Sequence, residues 1–198
     1  MTEDGKIEVM VASTVYGFED QLSSICATLA SLDYEVINSH LGTGWVDPNK
    51  SNLENCLNAV QDCDLFMGII RPYYGSGNIG ELNITFEEMK LAIKLEKPYW
   101  FLVHHHVDFT RQLKKYLYYL DADGKAIFDV KIKKSRIFDS RTLDIYEYVL
   151  KSGTPLVSRT GNWVQKFIDL PDANRYIVRQ FGEKDKIEQL IREVQHGK

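Results

Sequence analysis

Two rhythms of apolar and polar positions alternate along the first hundred residues. Residues 7–13 (Ile-Glu-Val-Met-Val-Ala-Ser) form a short β-branched run that predicts a strand. Residues 18–32 then place Leu22, Ile25, Cys26, Leu29 and Leu32 at helical spacing. Residues 34–38 read as a second strand, and the loop over 39–48 carries Gly42, Gly44 and Trp45. Asp47-Pro48 predicts the start of a second helix, with Leu53, Cys56, Leu57 and Val60 on its apolar face. Residues 64–70 (Asp-Leu-Phe-Met-Gly-Ile-Ile) are apolar almost throughout, as expected of a parallel strand buried on both faces. A loop with Gly75 and Gly77 leads to a third helix over 85–95, stopped by Lys97-Pro98, and residues 99–103 give a fourth strand.

Strands that alternate with helices imply an α/β fold, a parallel sheet with helical layers on both faces. Right-handed crossovers favour the flavodoxin-like strand order 2-1-3-4-5. Beyond His106 the pattern loosens. A helix is expected over 109–120, a turn over 121–125, a strand over 126–130, the last sheet strand at Ile137-Phe138-Asp139 and a helix over 142–151. Residues 1–153 are read as the α/β domain and 154–198 as a C-terminal α+β elaboration packed on it. Within that tail, residues 175–181 alternate like a strand, and 185–194 form an amphipathic helix with Ile187, Leu190, Ile191 and Val194.

At 198 residues and 44% hydrophobic content the chain can bury a sizeable core. A net charge of -4 offers no electrostatic case for nucleic acid or an anionic membrane. Cys26, Cys56 and Cys63 cannot all pair with one another, so free thiols in a reducing cytoplasm are expected. No signal-peptide pattern or apolar run of about 20 residues occurs, so neither secretion nor membrane spanning is expected.

Candidate chemistry clusters where the strands end. In open α/β sheets the crevice beyond the C-terminal strand ends is where ligands bind. Glu88, early in the third helix, is the candidate catalytic group: a carboxylate there can stabilise an oxocarbenium-like sugar cation. The same spacing, Thr85-x-x-Glu88, also describes a capping box. Ser13 and Thr14 end the first strand and can meet a sugar or phosphate, or cap the following turn. Arg71 suits a phosphate, and Tyr73 and Tyr74 suit stacking on a base, although exposed tyrosines are ordinary in a surface loop. His104 and His106 share a side if extended, yet no third metal ligand is placed and no metal or cofactor is expected. The loop after Ser13 and Thr14 lacks the spaced glycines and lysine of a P-loop, so nucleoside-triphosphate hydrolysis has no support.

Several of these motifs occur together in one known arrangement. Val9-Met10-Val11-Ala12-Ser13-Thr14-Val15-Tyr16, then a helix with Glu19, resembles the opening of a bacterial TIR-like family of unknown function. Members often form the N-terminal domain of larger NTPase-type signalling or defence proteins. Asp64 to Ile70, Tyr74-Gly75, Asn83-x-Thr85-x-x-Glu88, Ala92 and Lys97-Pro98 follow in the order that family shows. Ala12 and Asn83 stand where serines are usual. The resemblance implies a TIR-like three-layer α/β/α fold. It also implies similarity to TIR domains and nucleoside deoxyribosyltransferases, in which a glutamate on the equivalent helix works at the anomeric carbon of a ribose.

Those readings lead to an enzyme acting at the N-glycosidic bond of NAD or a related nucleotide, with Glu88 catalytic and Ser13, Thr14, Arg71, Tyr73, Tyr74 and Thr85 binding the ligand. The alternatives are a non-catalytic signalling module that self-associates or binds an effector protein, with the 185–194 helix as a surface, and a nucleotide sensor without turnover.

Overall fold

The computed structural model describes residues 5–75, 78–79, 82–114, 116, 119–120, 122–124, 126–127, 138–160 and 163–196. Strands β1 (Ile7–Ser13), β2 (Tyr34–Ile37), β3 (Leu65–Ile70), β4 (Tyr99–His104) and β5 (Val164–Phe167) form one sheet in the order β2-β1-β3-β4-β5. Every pairing in it is parallel, so the sheet has the flavodoxin-like order expected. β1 sits between β2, with Ile7 opposite Tyr34, and β3, with Val9 opposite Leu65.

The period-2 geometry of a strand divides the core. Ile7, Val9 and Val11 of β1 face one apolar cluster, together with Leu65, Met67 and Ile69 of β3. Helices α1 (Glu19–Ser31), α6 (Leu170–Phe181) and α7 (Lys184–His196) close that side through Leu22, Ile25, Leu29, Ile177, Phe181 and Ile191. Met10, Ala12, Phe66, Ile70 and Phe101 face the opposite cluster. Helices α2 (Asn52–Asp62), α3 (Ile84–Lys94), α4 (His105–Lys114) and α5 (Arg141–Val149) cover it, through Val60, Met89, Val107 and Tyr146 among others. No helix among the described residues is long and apolar enough to cross a membrane.

Four expectations need correction. α2 starts at Asn52 and not at Asp47, because Ser51 and Glu54 form a capping box there. α4 occupies 105–114 and not 109–120; Tyr116 is exposed, and Tyr119–Leu120 pairs with Ala126–Ile127 in a two-residue hairpin. The rest of the predicted 126–130 strand lies outside the described residues. Phe138 and Asp139 belong to no strand: the Asp139 N–H donates to the Pro72 carbonyl and its carboxylate takes Arg141, while Ile137 is outside the described residues. The last sheet strand is β5. Residues 175–181 are the end of α6, capped by Asp169 with Pro171 in its first turn. Their apparent alternation yields to Ala173, Ile177 and Phe181, which recur every four residues and are all buried. In α7, Ile187 and Ile191 are likewise buried in the α1/α6 cluster, while Leu190 and Val194 are half-buried.

Gly68 marks the tightest point of the central sheet. A Cβ added there would lie 2.7 Å from two atoms of the Phe101 ring and 3.0 Å from the end of Met89. Gly68→Ala should therefore destabilise the fold by about 1–3 kcal/mol through overpacking. Chemical denaturation checks this, and an unchanged midpoint would contradict the packing described.

Candidate functional site

The sheet order creates a crevice where connections leave β1 and β3 for opposite faces. Above it lies a cavity of about 480 Å³, within the size range of small-molecule sites. Five segments wall it: the C-terminal end of β1 through Tyr16, the loop after β2 with Ser39 and Trp45, the first turns of α2 with Asn52 and Cys56, Gly75 of the loop after β3, and the start of α3 with Thr85 and Glu88.

The start of α3 decides where Glu88 points. Asn83 is the N-cap: its side-chain oxygen accepts the Phe86 N–H at 2.9 Å, and its amide nitrogen donates to the Tyr74 carbonyl. Helix therefore begins two residues before the position at which Thr85 would cap it, and the capping-box reading of Thr85 and Glu88 is corrected. Glu88 lies beyond the first turn, on the face shared with Met89 and Ala92 that packs toward the sheet. Its residue is 4% exposed. Gly75 permits the approach of the preceding loop: its φ is +91°, and a Cβ would meet Thr14 Cγ2 at 2.9 Å.

Burial pushes the Glu88 carboxyl up to about 7, while a hydrogen bond from the Cys56 thiol acts in the opposite direction. Burial, and then the Glu88 charge, push Cys56 itself up to about 12. Near neutral pH this carboxyl is thus available both as an acid and as an anion. Around it are neutral hydrogen-bonding groups. Thr14 donates its hydroxyl to the Tyr73 carbonyl at 2.9 Å, and Ser13 donates to the Thr14 carbonyl at 3.2 Å. Asn55 is committed to the 47–51 turn, accepting the Asp47 N–H at 2.9 Å and donating to the Asp47 carbonyl at 3.0 Å.

Of the residues singled out from sequence, Ser13, Thr14, Thr85 and Glu88 line one cavity. Arg71, Tyr73 and Tyr74 are not among its lining residues. The Arg71 guanidinium donates to the carbonyls of Thr14, Tyr16 and Gly17 at 2.7, 3.1 and 3.3 Å and lies over the Phe18 ring. Tyr73 packs its ring on Tyr16, with centroids 5.3 Å apart. Tyr74 is buried beneath the Arg141 guanidinium, 4.0 Å from its ring centroid. His104 ends β4 while His106 is already in α4, so the two are not an extended pair; the His106 N–H donates to His104 Nδ1 at 3.2 Å. No cluster of three metal-ligating groups occurs among the described residues.

Sequence reasoning missed Asn83, Asn52, Ser39 and the contact of Cys56 with Glu88. The Ser51-x-x-Glu54 box, if read, would have started α2 correctly and turned Asn52 and Cys56 toward the site. Trp45, exposed by 79%, stands on the cavity rim and seals no core.

The raised carboxyl makes stability depend on pH. Between about 4.5 and about 7 the folded chain holds a proton on Glu88 that the unfolded chain releases, so this group lowers stability as pH rises through that window. Glu88→Gln removes the effect. Relative to the parent it should gain on the order of 3 kcal/mol between pH 4.5 and pH 8. Denaturant unfolding at both pH values checks this; parallel curves would show that Glu88 is not a buried acid.

Comparison with known proteins gives the wider setting. No curated protein sequence matches the chain. Among solved structures, the Clostridium botulinum CMP N-glycosidase BcmB is similar at 13% identity, with 87% of this chain and 98% of that chain covered and a TM-score of 0.45. A family model described as a domain of unknown function, DUF4062, matches residues 8–195. Nearly the whole α/β architecture and every residue of the cavity fall inside that match, and the chain belongs to the DUF4062 family.

Proposed function

We propose that this protein binds a nucleotide-type small molecule in the β1/β3 crevice and cleaves its N-glycosidic bond, with Glu88 as the catalytic group. The observation that carries this reading is a single buried carboxyl, pushed up to about 7, in a cavity otherwise lined by neutral groups. A strongly perturbed acid in a cleft is the mark of a working group. The hydroxyls and amides of Ser13, Ser39, Asn52 and Thr85 suit the hydroxyls of a sugar. Trp45 and Tyr16, both exposed at the cavity, offer faces for a base.

The chemistry balances on one carboxyl. The bond from C1′ to the base nitrogen breaks, and its electron pair leaves with the base. The base of a neutral nucleoside or nucleotide takes the proton of the Glu88 acid, whereas nicotinamide leaves NAD as a neutral molecule and takes none, Glu88 then being a carboxylate from the start. The Glu88 carboxylate stabilises the oxocarbenium carbon. Water adds at C1′ and gives its proton to Glu88, and the products are the free base and the sugar with whatever phosphate it carried. Arg71, Tyr73 and Tyr74 enter this reading indirectly, by holding the loops that carry Thr14 and Asn83. The TIR-like resemblance puts NAD and related nucleotides first among substrates to try, and implies a setting in bacterial signalling or defence.

The test is release of free base from NAD, nucleotides and nucleosides by the purified chain, followed chromatographically. Glu88→Gln should lower turnover by about 10²–10⁴-fold. Turnover that survives this substitution would remove Glu88 from the chemistry. Substrates that bind and are never cleaved would favour a sensor.

A further inference from the structure

Among the described residues, the one side chain hydrogen-bonded to the Glu88 carboxyl is a thiol, that of Cys56. α2 packs along α3, and both residues line the cavity, one from each helix. The phase of α2 brings the thiol there. Ser51 and Glu54 start the helix at Asn52, so Asn52, Asn55, Cys56 and Ala59 form the stripe that lines the cavity, with Cys56 half-buried. Neighbouring donors are directed elsewhere. The hydroxyls of Ser13 and Thr14 and the side-chain amides of Asn55 and Asn83, all on the same cavity, donate to backbone carbonyls.

The elements packed on α3 bring no charged group to this point. β1 and β3 present Met10, Ala12, Phe66 and Ile70 on this side of the sheet. Glu8 of β1 and Asp62 of α2 lie outside the residues that line the cavity, and Glu54 is engaged by Ser51. On α3 itself Glu87 pairs with Lys90, and Tyr148 of α5 meets the ring of Phe86. Besides Glu88, the titratable side chains lining the cavity among the described residues are Cys56 and the exposed Tyr16.

From this geometry we infer that Cys56 is the positioning residue of Glu88: its thiol aims the carboxyl and sets the protonation state the site holds. The inference rests on the N-glycosidic reading for the use made of Glu88, and not for the pairing itself. A thiol suits the task because it is a weak donor. It fixes a direction without compensating the carboxylate for its lost hydration, so burial still dominates and the carboxyl titrates near 7. A hydroxyl in its place would favour the anion, and an apolar side chain would favour the acid.

The experiment follows the labelled Glu88 carboxyl carbon by NMR through a pH titration of the full chain, of Cys56→Ser and of Cys56→Val, which fills the thiol's place without a donor. The midpoint should fall by about half a pH unit or more in Cys56→Ser and rise in Cys56→Val. In the unsubstituted chain the Cys56 β-carbon should shift with the same midpoint as Glu88, a readout that needs no variant to fold. Where a neutral nucleoside is cleaved, the pH at which turnover is half lost should move with the midpoint while KM changes little. Midpoints that stay in place or move the same way in both variants, or a Cys56 resonance indifferent to Glu88, would overturn the inference. Midpoints that move in opposite directions in chains that cleave nothing would uphold the pairing and overturn the catalytic reading.

Discussion

One side-chain amide sets the phase of the helix on which the site depends. Asn83 accepts from Phe86 and donates to the Tyr74 carbonyl, so it caps α3 and ties the loop after β3 to it. Only a side chain that both donates and accepts can do this; an aspartate would cap the helix but repel the carbonyl. Fixing the first turn at Ile84 places Glu88 on the inward face with Met89 and Ala92. Begun at Thr85, the same residues would have turned Glu88 back toward the backbone as a capping partner. A shift of two residues in the cap separates a structural acid from a buried one.

Burial gives that acid its character. Three other buried polar side chains are well served: Asn38 donates to the Val11 carbonyl and accepts from His40 and Leu41, Asp64 accepts the Glu8 N–H, and Asp139 takes the Arg141 guanidinium. Glu88 has the Cys56 thiol, a weak donor, against a large desolvation. Its charged form is therefore the destabilised one. A positive charge arising in the cavity would relieve that penalty, which links the cost of the site in stability to what the site can do.

The central strands of the sheet were legible because parallel strands buried on both faces leave long apolar runs. β1, β3 and β4 were read within a residue of their observed ends. Legibility failed where tertiary context overrides local pattern. β5 is four residues long and only partly buried, so its sequence does not announce a sheet strand. Residues 175–181 alternate over a short window, and only the Asp169 cap and the spacing of Ala173, Ile177 and Phe181 reveal the helix. At the site, the position of Glu88 beside the crevice could be read from the strand–loop–helix order. The use of Arg71 for three carbonyls could not, because a guanidinium serves a phosphate or a backbone loop equally well and sequence does not say which is nearer.

The fold alone does not choose the ligand. Any sheet of this order gathers helix N-termini at one crevice, and what fills them is decided by a few side chains. Glu19 sits at the first position of α1 and occupies the backbone donors of the turn before it. Glu54 does the same for α2 through Ser51. With a short neutral residue at either position those N–H groups would face solvent and attract an anion.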